Sequence, residues 1–132
     1  MTSAAPRLLR ARAITSAKAG VLHVLDPLPF VARRLFWLDA PHDASRAGHA
    51  HRTNWQLVAP VRGVVTARCQ RYVRGRLRSR TWQLVPGMAL VVPPLVWLDL
   101  RFTVAGACAV LASEPYCAAE YITDKAELRR LS

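Results

Sequence analysis

The stretch Arg46–Gly63, RAGHAHRTNWQLVAPVRG, decides the fold class and contains the candidate site. It holds two of the four histidines, His49 and His51, with one residue between them. On a β-strand, side chains two positions apart lie on the same face of the sheet. We therefore expect both imidazoles to project into one cavity beside Arg46 and Gln56, where they serve either proton transfer or metal binding.

Outside this stretch, short apolar segments alternate with turn residues, a pattern typical of an all-β sandwich or barrel. Strands are predicted at residues 21–25, 31–39, 49–51, 55–59, 63–72, 77–84, 88–92, 96–102 and 107–112, with a loop over 40–48. Val73-Arg74-Gly75-Arg76 predicts a hairpin turn with Gly75 at positive φ. Residues 117–131 predict a short C-terminal helix. The sequence thus predicts a flexible N-terminal tail over 1–18 and one domain over 19–132.

Composition limits the function classes. No apolar run reaches the ~18 residues that span a bilayer, and the N-terminus lacks the apolar core of a secretory signal, so we expect a cytoplasmic protein without membrane contact. Cys69, Cys108 and Cys117 follow no zinc-type spacing and are expected to be reduced, mostly buried thiols. The net charge of +11 attracts phosphate-bearing partners, of which a nucleotide diphosphate is one. The arginines are scattered and no nucleic-acid-binding signature accompanies them, so no nucleic acid is expected.

The order His49-x-His51-x4-Gln56-x6-Gly63 resembles the first motif of the cupin superfamily, in which two His and a Glu come from adjacent strands of a small β-barrel. Pro86-Gly87 and Pro93 match the frame of the second cupin motif, but Trp97-Leu98 stands in the place of its histidine. The resemblance implies a small cupin barrel, that is, a double-stranded β-helix or jelly roll.

The number and type of available metal ligands distinguish metal binding from proton transfer. A catalytic metal site needs about three protein ligands and an open position. Two imidazoles and the neutral amide of Gln56 form a weak set, so we expect no metal and no other cofactor. Free imidazoles can instead move protons near neutral pH. The remaining alternative is structural: the two histidines only form hydrogen bonds inside the barrel.

A closer resemblance is to the sugar 3,4-ketoisomerases (WxcM-like), cupins that act on dTDP-4-keto-6-deoxyglucose. It covers about residues 20–131 and involves the segments RRLFWLD (33–39), RAGHAHR (46–52, similar to RGxHAHK), WQLV (55–58) with Gly63, LVVPPLVW (90–97, similar to xPPxxW), and VLASEPY (110–116) with EYITD (120–124, similar to VLASxxY…DYIxD). These segments occur in the family's order and at its spacings.

The resemblance implies isomerisation of a dTDP-4-keto-6-deoxyhexose in deoxysugar biosynthesis, by proton transfer through an enediol. His49 is implied as the base, and His51 as a residue that shuttles a proton or orients its neighbour. The implied substrate-binding residues are Arg46, Gln56, Arg34, Trp97 and Leu98. Trp82 or Tyr72 offers an aromatic face for the thymine. The family also implies a homodimer, and the bare edge of the strand at residues 21–25 makes it the candidate for exchange between the two chains.

Two departures from the family pattern fall in the expected pocket. Phe36 and Trp37 stand where the family commonly carries tyrosines, which predicts that a phenolic donor near the sugar is missing. Leu98 stands where the family places His or Arg, a position that bears on product stereochemistry. Because of these losses, a non-catalytic cupin that binds a nucleotide sugar or a partner enzyme stays open. A metal-dependent cupin enzyme is a third, separate alternative.

Overall fold

The computed structural model describes residues 4–132, which form twelve strands, one 3-10 helix and one α-helix. The strands are β1 (Arg7–Arg10), β2 (Arg12–Ser16), β3 (Gly20–Val24), β4 (Arg34–Ala40), β5 (Ala44–His51), β6 (Gln56–Arg62), β7 (Val65–Val73), β8 (Arg76–Leu84), β9 (Met88–Val92), β10 (Trp97–Phe102), β11 (Gly106–Ala112) and β12 (Tyr121–Ile122). The 3-10 helix is Ala118–Glu120 and the α-helix, α1, is Lys125–Leu131.

Two five-stranded antiparallel sheets form the barrel, in the orders β1-β9-β6-β11-β4 and β12-β5-β10-β7-β8. Alternate side chains of both sheets meet in one apolar core, with Val58, Leu90 and Val110 from the first sheet and Ala67 and Phe102 from the second. Strands β2 and β3 form a third, two-stranded antiparallel sheet, which is not hydrogen-bonded to either of the larger sheets as a strand ladder. The predicted cupin jelly roll with a short C-terminal helix is confirmed.

The predicted flexible tail is wrong for most of residues 1–18. Arg7–Arg10 pairs with the free edge of β9, and its alternation lets Leu8 pack on the main core while Leu9 packs on the outer side of the first sheet. Arg12–Ser16 then forms a hairpin with β3. Residues 1–3 of the predicted tail lie outside the described residues.

Two further predictions need correction. The predicted loop over 40–48 is shorter, because β5 already begins at Ala44 and pairs with β10. The predicted helix over 117–131 begins only at Lys125, where the Asp124 carboxylate caps it by accepting a hydrogen bond from the Ala126 amide at 3.0 Å. The chain before it is held extended because Tyr121 and Ile122 pair with β5.

The predicted hairpin at residues 73–76 is confirmed. Arg74 and Gly75 have φ of 50° and 75°, and Val73 pairs with Arg76. A two-residue loop with both φ positive matches the right-handed twist of the flanking strands. Within residues 4–132, no helix has both the length and the apolar character needed to cross a membrane.

Candidate active site

A β-bulge in β5 brings Arg46 and His49 to the same side of the sheet. Three positions apart, they would face opposite sides of a regular strand. Ala47 lies opposite Asp99, and His49 lies opposite the next residue of β10, Leu98, so one residue of β5 is extra. Ala47 and Gly48 absorb it at φ of 72° and 78°. The bulge therefore aims the guanidinium and the imidazole into one cavity, as bulges near active sites commonly do.

The two histidines and Tyr121 form one aromatic cluster. The His49 and His51 ring centroids are 4.9 Å apart and the rings are nearly perpendicular, at 84°. The Tyr121 ring lies 4.6 Å from each imidazole. His51 is 5% exposed and lies beneath the other two rings, with neither ring nitrogen hydrogen-bonded within the described part of the chain.

Burial keeps both imidazoles neutral. Desolvation lowers the pKa of His49, against a hydrogen bond to the Ala47 backbone and the charge of Asp99, which raise it. Desolvation is also the main cause that lowers the pKa of His51 to about 4, together with the charges of His49 and Arg34 and against that of Glu120. A neutral imidazole at physiological pH is a proton acceptor, so His49 has the protonation state that a general base requires.

His49 opens onto a cavity of about 590 Å³ at the mouth of the barrel. Its polar lining comes from Arg34, Arg46, Gln56 and Tyr121, and its apolar wall includes Phe36, Trp37, Val58, Leu98 and Val110. Such a volume suits a small ligand, and two guanidiniums at one entrance suit an anionic one.

Five of the seven predicted site residues line this cavity, namely Arg34, Arg46, His49, Gln56 and Leu98. His51 lies behind His49 and does not reach the cavity wall. The prediction that Trp97 lies in the site is wrong. Neighbouring residues on a strand face opposite sides of the sheet, and Leu98 faces the inner side. The Trp97 ring packs instead with Ala50, Ile122 and Leu128 on the outer face, where the Lys125 ammonium lies 5.2 Å from its centroid.

Positions 36 and 37 carry no phenol, as the sequence shows, but a different phenol, that of Tyr121, lines the cavity. A clamp at Glu120 fixes its position: the carboxylate accepts hydrogen bonds from the Thr53 amide at 2.6 Å and the Asn54 amide at 3.0 Å. Burial raises the pKa of Glu120, but these hydrogen bonds outweigh burial and the net pKa is lowered. The clamp ties residues 120–122 to β5, so Tyr121 lies beside His51. The EYITD segment was visible in the sequence, but nothing local in it shows that its tyrosine reaches the histidines.

The described residues 4–132 contain no group of three His, Cys, Asp or Glu side chains that could hold a metal ion. Cys69 and Cys108 are buried and free, whereas Cys117 is free and exposed. Burial raises the pKa of Cys108 to about 11, although the charge of Arg46 opposes this, so that thiol is neutral near the site.

Two antiparallel sheets around an arginine-lined cavity with paired imidazoles define a small cupin. The chain matches the family model described as FdtA, WxcM-like, C-terminal, over residues 7–132. It therefore belongs to the WxcM-like, C-terminal family. Among curated protein sequences, none matches the chain at a significant level.

Solved structures of 3,4-ketoisomerases are similar to this chain over 93–96% of its length. A double mutant of the QdtA 3,4-ketoisomerase from Thermoanaerobacterium thermosaccharolyticum, in complex with TDP, is 26% identical with a TM-score of 0.82, and the match covers 93% of this chain and 90% of that one. A 3,4-ketoisomerase from Helicobacter canadensis is 26% identical with a TM-score of 0.83 and 96% of both chains covered. The WlaRB TDP-quinovose 3,4-ketoisomerase from Campylobacter jejuni is 25% identical, with a TM-score of 0.82, 95% of this chain and 97% of that one covered.

Proposed function

We propose that the protein is a cofactor-independent 3,4-ketoisomerase of a dTDP-4-keto-6-deoxyhexose in deoxysugar biosynthesis. The observation that carries this proposal is a neutral His49 on the wall of a cavity that also presents Arg34 and Arg46. The likeness to 3,4-ketoisomerases, one of them in complex with TDP, supports the substrate class. The free buried thiols accord with a reducing compartment such as the cytoplasm.

The reaction needs two proton movements and no net change of oxidation state. The C4 carbonyl acidifies the hydrogen on C3, and His49 removes it to give an enediol. The protonated imidazole then returns a proton to C4. A second proton passes from the oxygen on C3 to the oxygen on C4, and the Tyr121 phenol in the cavity wall is the group that we place there. A ketone at C3 and a hydroxyl at C4 result.

Charge on the enediolate needs donors that are already in place in a dry site. The Gln56 amide is buried at 6% exposure and lines the cavity, so it can donate to the sugar oxygens. Arg34 is held over the rings of Phe36 and Tyr116, with its guanidinium carbon 4.6 and 5.4 Å from their centroids. His51, which lies behind His49, is proposed to orient that ring rather than to touch the sugar.

The nucleotide is proposed to lie on Trp37 rather than on the aromatics expected from sequence. Trp82 packs in the barrel core and Tyr72 belongs to the cluster beneath α1, so neither lines the cavity. Trp37 is 69% exposed and, with Arg46, borders both the site cavity and a neighbouring groove of about 480 Å³. A diphosphate bound by Arg46 would thus place the hexose inward and the base towards the rim of the cavity that Trp37 borders.

The proposed activity is tested by incubating the protein in D2O with dTDP-4-keto-6-deoxyglucose and related 4-keto sugars. NMR should show a 3-keto product and deuterium at C4 of the sugar. Because Phe36 and Leu98 make the wall unusually apolar, a panel of sugars is needed. Saturable binding of every sugar without exchange or product would favour the non-catalytic nucleotide-sugar binder, and activity that depends on an added metal would favour the metal-dependent enzyme.

Replacing Tyr121 by Phe should lower kcat by about tenfold with little change in KM. The ring contacts to both histidines survive, whereas one proton-passing hydroxyl is lost. Tyr72→Phe is the matched control, since Tyr72 packs outside the cavity. Equal kcat values for Tyr121→Phe and the wild type would remove Tyr121 from the mechanism.

We propose that a second copy of the chain covers the β2–β3 hairpin. Ile14 and Leu22 are directly opposite each other and 48% and 59% exposed, and an isolated hairpin is marginal in water. Leu22→Asp should therefore convert a dimer to a monomer in light scattering after gel filtration. Thr15→Asp, on the opposite face of the hairpin, is the control. A Leu22→Asp protein that stays dimeric would place the interface elsewhere.

A further inference from the structure

The β7–β8 hairpin brings together arginines that are scattered along the sequence. Residues 44–98 contain no Asp or Glu. Within the hairpin, Cys69 pairs with Arg80 and Arg71 pairs with Arg78, so these four side chains share one face of the sheet. This face is the one that Ala67 and Trp82 present to the barrel core nearer its centre. Towards the turn it leaves the core and becomes a basic, concave surface.

This surface is one wall of a cleft of about 450 Å³. The cleft is lined by Ala5, Pro6, Cys69, Arg71, Val73, Arg78, Ser79 and Arg80. None of these residues lines the cavity of His49, so the two sites are distinct. A concave site of a few hundred Å³ suits a small molecule.

The described lining of the cleft carries three arginines and no carboxylate. Arg71 and Arg78 face each other directly across the strands, and like charges in that position destabilise a sheet. Neither Arg78 nor Arg80 forms an ion pair within the described residues 4–132. Burial and the charge of Asp99 raise the pKa of Cys69 to about 12, so the thiol in the floor is neutral and supplies no counter-charge. A bound anion would neutralise the Arg78 and Arg80 guanidiniums.

The guanidinium of Arg80 is also held in place. It lies 4.7 Å from the ring centroid of Trp82, which is 8% exposed and fixed in the core. A stacked guanidinium keeps its in-plane N–H groups available for an oxyanion. With Arg78 two positions along the same face, two guanidiniums can each bind a phosphate bidentately.

From these observations we infer a second anion site, in the cleft between β8 and Ala5–Pro6, that takes a phosphate-bearing small molecule with a diphosphate as its minimal ligand. Arg78 and Arg80 are the binding residues, and Arg71 and Ser79 complete the wall. The site is independent of the proposed isomerase activity, because it shares no residue with that cavity.

The test is a titration of the arginine-labelled protein with pyrophosphate in about 0.15 M NaCl, an ionic strength that screens diffuse attraction. The Nε–Hε NMR signals of Arg78 and Arg80 should shift in a saturable manner. In Arg78→Gln/Arg80→Gln, affinity measured at the neighbouring Arg71 signal should fall by at least about tenfold, while any response at Arg46 in the other cavity persists. Arg130→Gln, an exposed arginine on α1, is the control and should bind as the wild type does.

Three results would overturn the inference. One is a shift that grows linearly without saturation, which indicates screening only. The second is equal affinity in the wild type and the double variant. The third is a single-stranded oligonucleotide that binds the same arginines more tightly than pyrophosphate, since the ligand would then be a nucleic acid. The double variant should melt no lower than the wild type because it loses like-charge repulsion, and this melting temperature verifies that it is folded.

Discussion

His49→Asn should reduce kcat by about a thousandfold and leave substrate binding nearly unchanged. General-base catalysis by a positioned imidazole contributes roughly 10²–10⁴-fold, and no other neutral imidazole lines the cavity among the described residues. Asparagine is the sharpest substitution, because its amide can replace the hydrogen bond of His49 to the Ala47 backbone. The loss is then one of proton transfer rather than of fold. In D2O, deuterium at C3 of the recovered substrate and at C4 of the 3-keto product reports removal of the C3 hydrogen directly.

The matched control is His42→Asn, which replaces an exposed histidine that pairs with Asp43 at 3.1 Å on the surface. It should exchange C3 at the wild-type rate. If His49→Asn also exchanges at that rate, the base lies elsewhere, and Tyr121 is the next group on the cavity wall to test.

The site could be predicted from sequence as far as residue spacing governs it. His49 and His51 are two apart on one strand, so their shared side followed from strand geometry alone. Arg46 was expected beside them from its place in the sequence and from the family resemblance, although its spacing to His49 is wrong for a regular strand. The bulge that corrects this needs positive φ at Ala47 as well as Gly48, and alanine carries no signal for that conformation.

Pairing between strands that are distant in the sequence explains the parts of the fold that could not be predicted. β1 has only four residues, and it forms because β9 offers a free edge, a partner about eighty residues away. Tyr121 reaches the histidines for the same reason, through a two-residue strand pairing with β5 that the Glu120 clamp holds. Trp97 was misplaced because Trp97 and Leu98 are neighbours on one strand and cannot both face the cavity. Only the pairing of β10 with β5 and β7 decides which of the two does.

Folding stability should fall as the pH is lowered from about 6.5 to about 4, and His51 is the group that we hold responsible. Its pKa is about 4 in the folded chain, chiefly because burial disfavours the charged ring, against an ordinary 6.5 when unfolded. Between these values the unfolded chain binds the extra proton, so acid favours unfolding. At 5% exposure solvent screens this cost little, and it amounts to about 3 kcal/mol across the whole window.

His51→Asn should remove that part of the pH dependence. Between pH 7 and pH 4.5, the wild type should lose about 2–3 kcal/mol more unfolding free energy than the variant, as measured by urea denaturation at both pH values. The comparison cancels the contribution of groups that do not interact with His51; Glu120, whose pKa is lowered in part by His51, is the exception. His42→Asn, which replaces an exposed ring, is the matched control. If the unfolding free energies of the wild type and of His51→Asn changed equally with pH, the buried His51 ring would accept a proton without cost. The conclusion that both imidazoles are neutral, on which the role of His49 as the base depends, would then be wrong.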